Sequence, residues 1–129
     1  MRKVIIGILM SFCLFGVYQS LWANHSMHPL KQIAFVKKMI ERQQEPYRTA
    51  YVQLIRYADS IQHVTHHARN NFAVPGYYVK PEEHRANSLA LQQDAFAAYC
   101  SALAYRLSGK KGYGEKACYF MNAWATINK

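Results

Sequence analysis

The chain has 129 residues, 51% of them hydrophobic and 14% aromatic, and carries sixteen Lys and Arg against seven Asp and Glu. The length suits one modest domain with a real but limited core and argues against several. The formal charge of +9 points to an acidic partner: a polyuronate, a nucleic acid or an anionic membrane surface. A solvated surface that only aids solubility explains the charge equally well.

Arg2 and Lys3 precede an apolar run, Val4 to Val17, that is short for a membrane span and has the form of a secretory signal peptide. Ala23 is a suitable residue before the cut. Leu21, three positions back from the cut, is larger than usual there, which keeps an uncleaved anchor open. Phe12 before Cys13 argues against a lipoprotein anchor. The expected organisation is therefore a signal peptide over 1–23 and a domain over 24–129. That domain keeps fourteen Lys and Arg against seven Asp and Glu, a charge of +7. Export makes an acidic polysaccharide the expected partner, with no nucleic acid and no stable membrane anchor after cleavage.

The spacing predicts a first helix over 29–43, with Pro29 in its first turn, Leu30, Ile33, Val36 and Ile40 inward, and Lys31, Lys38 and Arg42 outward. Gln43, Gln44 and Glu45 break it. Pro46 then opens a second helix that places Tyr47, Tyr51, Leu54, Ala58 and Ile61 on one face, and the two helices should pair as a hairpin. Tyrosines at such positions are usually core residues with the hydroxyl at the rim.

From Gln62 to Lys80 the periodicity fails, and His63, His66, His67, Arg69, Asn70, Asn71, Phe72, Tyr77 and Tyr78 crowd into a segment containing Val74-Pro75-Gly76. A long irregular segment in a compact domain is commonly a functional loop. A surface loop without a role is the plainer reading. His63, His66 and His67 could share a face and hold a transition metal, but no carboxylate lies nearby in sequence, and neither a metal nor a cofactor is expected. Pro81-Glu82-Glu83 starts a helix leading through His84 and Arg85.

Leu89 to Asn128 reads as two antiparallel helices joined at 108–114. In the first arm Phe96, Cys100, Leu103 and Leu107 form one apolar row and Leu91, Ala95, Ala98 and Ala102 a second, leaving Asp94 and Ser101 as the groups offered to water. In the second arm Ala117, Met121 and Trp124 form a stripe flanked by Phe120 and Ile127. Gly109 is placed as a left-handed C-terminal cap. Cys100 and Cys118 sit nine residues either side of Gly109, so antiparallel arms bring them level. A disulfide is then expected in an oxidising compartment, stabilising by roughly 3 kcal/mol. Two free thiols acting as small hydrophobes are the alternative. No second close-spaced Cys or His couple accompanies the pair, so zinc is not indicated.

The order and spacing of Asp94-Ala95-Phe96-Ala97-Ala98-Tyr99, Ala102 to Lys110, Tyr113 to Ala117 and Ala123-Trp124-Ala125 resemble the N-terminal region of the alginate lyase family of polysaccharide lyases. His28-Pro29, Pro46-Tyr47, Ala50-Tyr51 and Val74-Pro75-Gly76-Tyr77-Tyr78 with Pro81 and His84 extend the likeness upstream. The resemblance implies an all-α fold of antiparallel helical hairpins forming part of an (α/α) toroid, and cleavage of uronate polysaccharide by β-elimination. It makes the 62–80 segment a lid over the sugar cleft, with Phe72, Tyr77 and Tyr78 stacking on pyranose faces and Arg69, Lys80 and His84 meeting polar groups.

Elimination needs the uronate carboxylate neutralised, a base at C5 and an acid for the leaving oxygen. In the family the Asn-His pair, the arginine and the tyrosine for these tasks follow the tryptophan-containing hairpin, so no catalytic residue is assigned; Asn70-Asn71, lying before the hairpin, is not that pair. Because a toroid needs several hairpins and about two are encoded, an N-terminal portion of a lyase is the expected description. A non-catalytic secreted helical module that binds acidic polysaccharide or a protein is the alternative.

Overall fold

The computed structural model describes residues 27–127, and the expected signal peptide lies outside them. Four helices, all the regular structure among these residues, follow in order: α1 (Leu30–Glu41), α2 (Tyr47–Ser60), α3 (Pro81–Ser108) and α4 (Lys111–Ile127). The all-α expectation holds. So do the hairpin of α1 with α2 and that of α3 with α4, each pair being in contact. Helix α3 is central and touches the other three.

Each boundary has a local cause. Pro29 and Pro46 precede α1 and α2, and Pro81 occupies the first turn of α3, where a missing N–H costs nothing. Glu82 and Glu83 in that turn place negative charge at the positive end of the helix dipole. Gly109 ends α3 at φ 75°, the left-handed cap expected, and donates its N–H to the Tyr105 carbonyl at 2.8 Å. The turn is tighter than the glycine spacing suggests: Gly112 and Gly114 lie inside α4. At Gly114 the reason is packing, since a Cβ there would stand 3.2 Å from Cγ of the Tyr105 ring.

The core is small and built on close helix approach. One cluster joins Ala58 of α2, Ala104 of α3 and Tyr113 of α4; another joins Ile61, Ala97 of α3 and Phe120 of α4. The apolar rows expected on the last two helices are rotated. On α3 the buried face is Asn87, Asp94, Ala97, Cys100, Ser101 and Ala104, whereas Phe96 and Leu91 are exposed. Asp94 and Ser101, expected at the surface, are among the most buried side chains, at 2% and 0% exposure. Small residues admit α4 against this face; the larger apolar side chains of α3 are too bulky for that seam. On α4 the buried residues are Tyr113, Ala117, Phe120 and Ala123, while Met121 is exposed. On α1, Ile33 and Met39 are buried and Leu30 is exposed.

The two cysteines face differently, one inward and one outward, and both thiols are free where a disulfide was expected. Cys100 is buried, which pushes its thiol above the usual range. Cys118 follows the buried Ala117 by one residue, about 100° around the helix, and is exposed.

Tyr113 also ties α4 to α2, its hydroxyl donating to Asp59 Oδ1. That bond, together with burial, pushes the phenol to about 12. An unfolded tyrosine titrates near 10. The folded group therefore keeps its proton where the unfolded one releases it, and its stabilisation is complete below about pH 10 and lost as the pH rises through about 12. Urea unfolding followed from pH 9 to 12 should show this alkaline decline, and Tyr113→Phe should reduce it.

Candidate functional site

Between α2 and α3 the 62–80 segment is irregular, as expected, yet side chains of the α3–α4 hairpin hold it along its length. Lys116 Nζ donates to the Val64 carbonyl at 2.6 Å. The Tyr119 hydroxyl accepts from the His66 amide at 3.4 Å, with the two rings 5.2 Å apart. Arg69 donates to Asn87 Oδ1 at 2.8 Å, and Asn87 Nδ2 donates to the Ala73 carbonyl at 2.6 Å. His84 Nδ1 donates to the Pro75 carbonyl at 2.6 Å. The backbone polar groups of an irregular segment must find partners when they leave water, and α3 and α4 supply them.

The strongest tether is at His67. Asp94 Oδ2 accepts the His67 amide at 2.7 Å and the Trp124 indole N–H at 2.8 Å, while Oδ1 meets His67 Nδ1 at 2.7 Å. Burying a carboxylate costs several kcal/mol, and three hydrogen bonds at roughly 2 kcal/mol each are of the size needed to offset it. Phe72 then packs edge-on against Trp124, their centroids 4.6 Å apart, with the Arg69 guanidinium 5.1 Å from the Phe72 centroid.

Five of the six predicted saccharide-contact residues fall into two groups. Arg69 and Phe72 stand together over Asn87 and Trp124, with Phe72 half-buried and its ring engaged from two directions. Tyr77, Tyr78 and His84 form the second group, Tyr77 lying 5.5 Å from Tyr78 and 5.6 Å from His84 with Arg85 5.7 Å from its ring. Spacing alone did not distinguish the two tyrosines; packing does. Tyr77 is braced on both sides, whereas Tyr78 is 97% exposed and has a ring face free. Lys80 pairs with Glu83 at 3.0 Å on the surface, a contact weak enough to exchange for another anion.

Asn70 and Asn71 are exposed, and Asn71 takes φ 54°, a conformation suited to asparagine in a turn. The three-histidine metal reading fails on geometry. His66 turns to Tyr119 and His67 to Asp94, and no group of three or more His, Cys, Asp or Glu converges as metal ligands among the described residues.

Sequence reasoning missed Asp94, Asn87, Lys116 and the tethering role of Trp124. A usable signal existed: Asn87, Asp94 and Ser101 recur every seventh residue among Ala97 and Ala104, polar groups on a small-residue face that faces protein. Burial lowers the Lys116 ammonium from its ordinary range, in keeping with its position above the Tyr119 and Phe120 rings. Two apolar clefts of about 340 and 280 Å³ lie elsewhere, against α1 and α3, sharing His28, Ile33 and Leu103. Their apolar linings suit packing gaps beside α1 better than a sugar site.

The alginate lyase family profile matches residues 32–129, which takes in every helix and the whole tethered loop apart from the first two residues of α1. The chain belongs to the alginate lyase family. No curated protein and no solved structure matches it. Membership makes this a polysaccharide-lyase-like chain. No helix among the described residues is long and apolar enough to cross a membrane.

The tethers make a stability prediction. Asp94→Ala leaves the part-buried indole N–H and the His67 amide without their acceptor and should cost about 3 kcal/mol in denaturant unfolding. Lys80→Ala, which loses only a surface pair, should change stability by less than about 1 kcal/mol.

Proposed function

We propose that this chain grips saccharide in an exported lyase that cleaves uronate-containing polysaccharide by β-elimination, its helical hairpins arranged as in an (α/α) toroid. The observation that carries the reading is the ordered aromatic and basic loop over the α3–α4 hairpin, in a chain matched to the family from residue 32 onward. Two chemical features of a polyuronate suit it. Its pyranose faces can stack on the free ring of Tyr78, and its carboxylates can pair with Arg85, Lys80 or Arg69. The net positive charge supplies long-range attraction for the same polymer.

The loop offers binding groups more clearly than a reaction centre. His84 is engaged with a carbonyl, Tyr77 is braced among neighbours, and the exposed Asn70 and Asn71 lie in a turn. Residues 24–129 should therefore bind alginate oligosaccharides and release no unsaturated product. Calorimetric titration at two salt concentrations, run beside the absorbance assay for unsaturated uronate, tests both halves. Affinity should fall with salt, because exposed charges are screened over about 8 Å at physiological ionic strength. Tyr78→Ala should weaken binding about tenfold, corresponding to a stacking contribution of about 1–2 kcal/mol. Absence of binding to any uronan would reject the reading, and product formation would place catalytic groups within these residues.

A further inference from the structure

We propose that His67 is a substrate-contacting residue of the saccharide site, its Nε2 accepting a hydrogen bond from a sugar hydroxyl while Asp94 holds the ring in place. This rests on the polyuronate reading above and assigns one contact within it. Two obligate donors converge on Asp94. The His67 amide and the Trp124 indole can only donate, and both point at Oδ2. The carboxylate is thus built to accept, and Oδ1 accepts from His67 Nδ1 at 2.7 Å. Nδ1 consequently carries the hydrogen, which in the uncharged tautomer leaves the lone pair on Nε2.

The two edges of this imidazole face different surroundings. Its Nδ1 edge is fixed to a carboxylate with 2% exposure, whereas 44% of the His67 side chain remains open to solvent. Nδ1 makes the ring's hydrogen bond, and Nε2 has none among the described residues. A buried carboxylate orienting one ring nitrogen so that the other is presented outward is the arrangement by which histidines are pre-aligned for a ligand. Holding the ring beforehand removes the rotamer cost that a free side chain meets on binding. A metal would use the same presentation but needs further ligands, and none converge here among the described residues. A saccharide does not need them. Its hydroxyls donate to a lone pair, and the indole that shares Asp94 carries Phe72 and Arg69 beside it, an apolar surface and a cation within one tethered unit.

A purely structural tether uses only Nδ1, so the test separates the two edges. In His67→Asn the side-chain amide keeps a donor near the Nδ1 position and removes Nε2. The full chain is titrated with a mannuronate trisaccharide, following the histidine ring nitrogens by long-range 1H–15N NMR and affinity by calorimetry. The expected result is a protonated Nδ1 that stays put, an unprotonated Nε2 whose resonance moves on saturation, and a His67→Asn variant that melts like the wild type and binds about tenfold more weakly. An Nε2 unmoved at saturation while the Tyr78 ring responds, or unchanged affinity in His67→Asn, overturns the His67 contact and leaves the polyuronate reading standing. No response at any residue overturns both.

Discussion

A single buried carboxylate organises the part of this molecule that meets its surroundings. Asp94 lies in the middle of α3 with 2% of its surface exposed, and its three hydrogen bonds go to α4 and to two groups of one loop residue. Helix, helix and loop are thereby fixed to one another at a point. Removing a donor leaves the buried carboxylate short of a partner, and the cost of an unpaired buried group exceeds the gain from making the bond. Such a site specifies geometry more than it adds net stability.

The rest of the loop follows the same rule with smaller increments. Lys116, Tyr119, Asn87 and His84 each engage a backbone amide or carbonyl, so the segment borrows from the hairpin the partners it lacks within itself. Held this way, the loop can present Tyr78 fully exposed without collapsing it onto the core. The hairpin beneath has to be close-packed for this to work, which explains alanine at 97, 104, 117 and 123 and the tight glycine turn. Scaffold and loop are thus one design: small residues bring the helices together, and the few polar groups on that seam reach outward to the loop.

Much of the architecture was legible in the sequence. The helix starts at Pro29, Pro46 and Pro81, the cap at Gly109, the pairing of the arms and the irregular 62–80 stretch all rest on local rules that tertiary context left intact. Helix faces were harder to read. A row of large apolar side chains marks the buried face only where the neighbour stands far enough away to admit them, and α4 approaches α3 too closely. The alanine-rich face won, and Asp94 and Ser101 went inward with it while Phe96 and Met121 turned out. The cysteines follow the same rotation: Cys100 goes inward and Cys118 outward, both as free thiols. The tethers themselves pair residues up to 53 positions apart, beyond any periodicity argument.

Amide hydrogen exchange in the loop tests the Asp94 tether most directly. The His67 amide, which donates to a buried carboxylate, should exchange far more slowly than the exposed Asn70 and Tyr78 amides and at a rate close to that of α3. Exchange of the His67 amide at the rate of an unstructured peptide, with α3 and α4 protected, would contradict the account: the hairpin would then stand without ordering the loop.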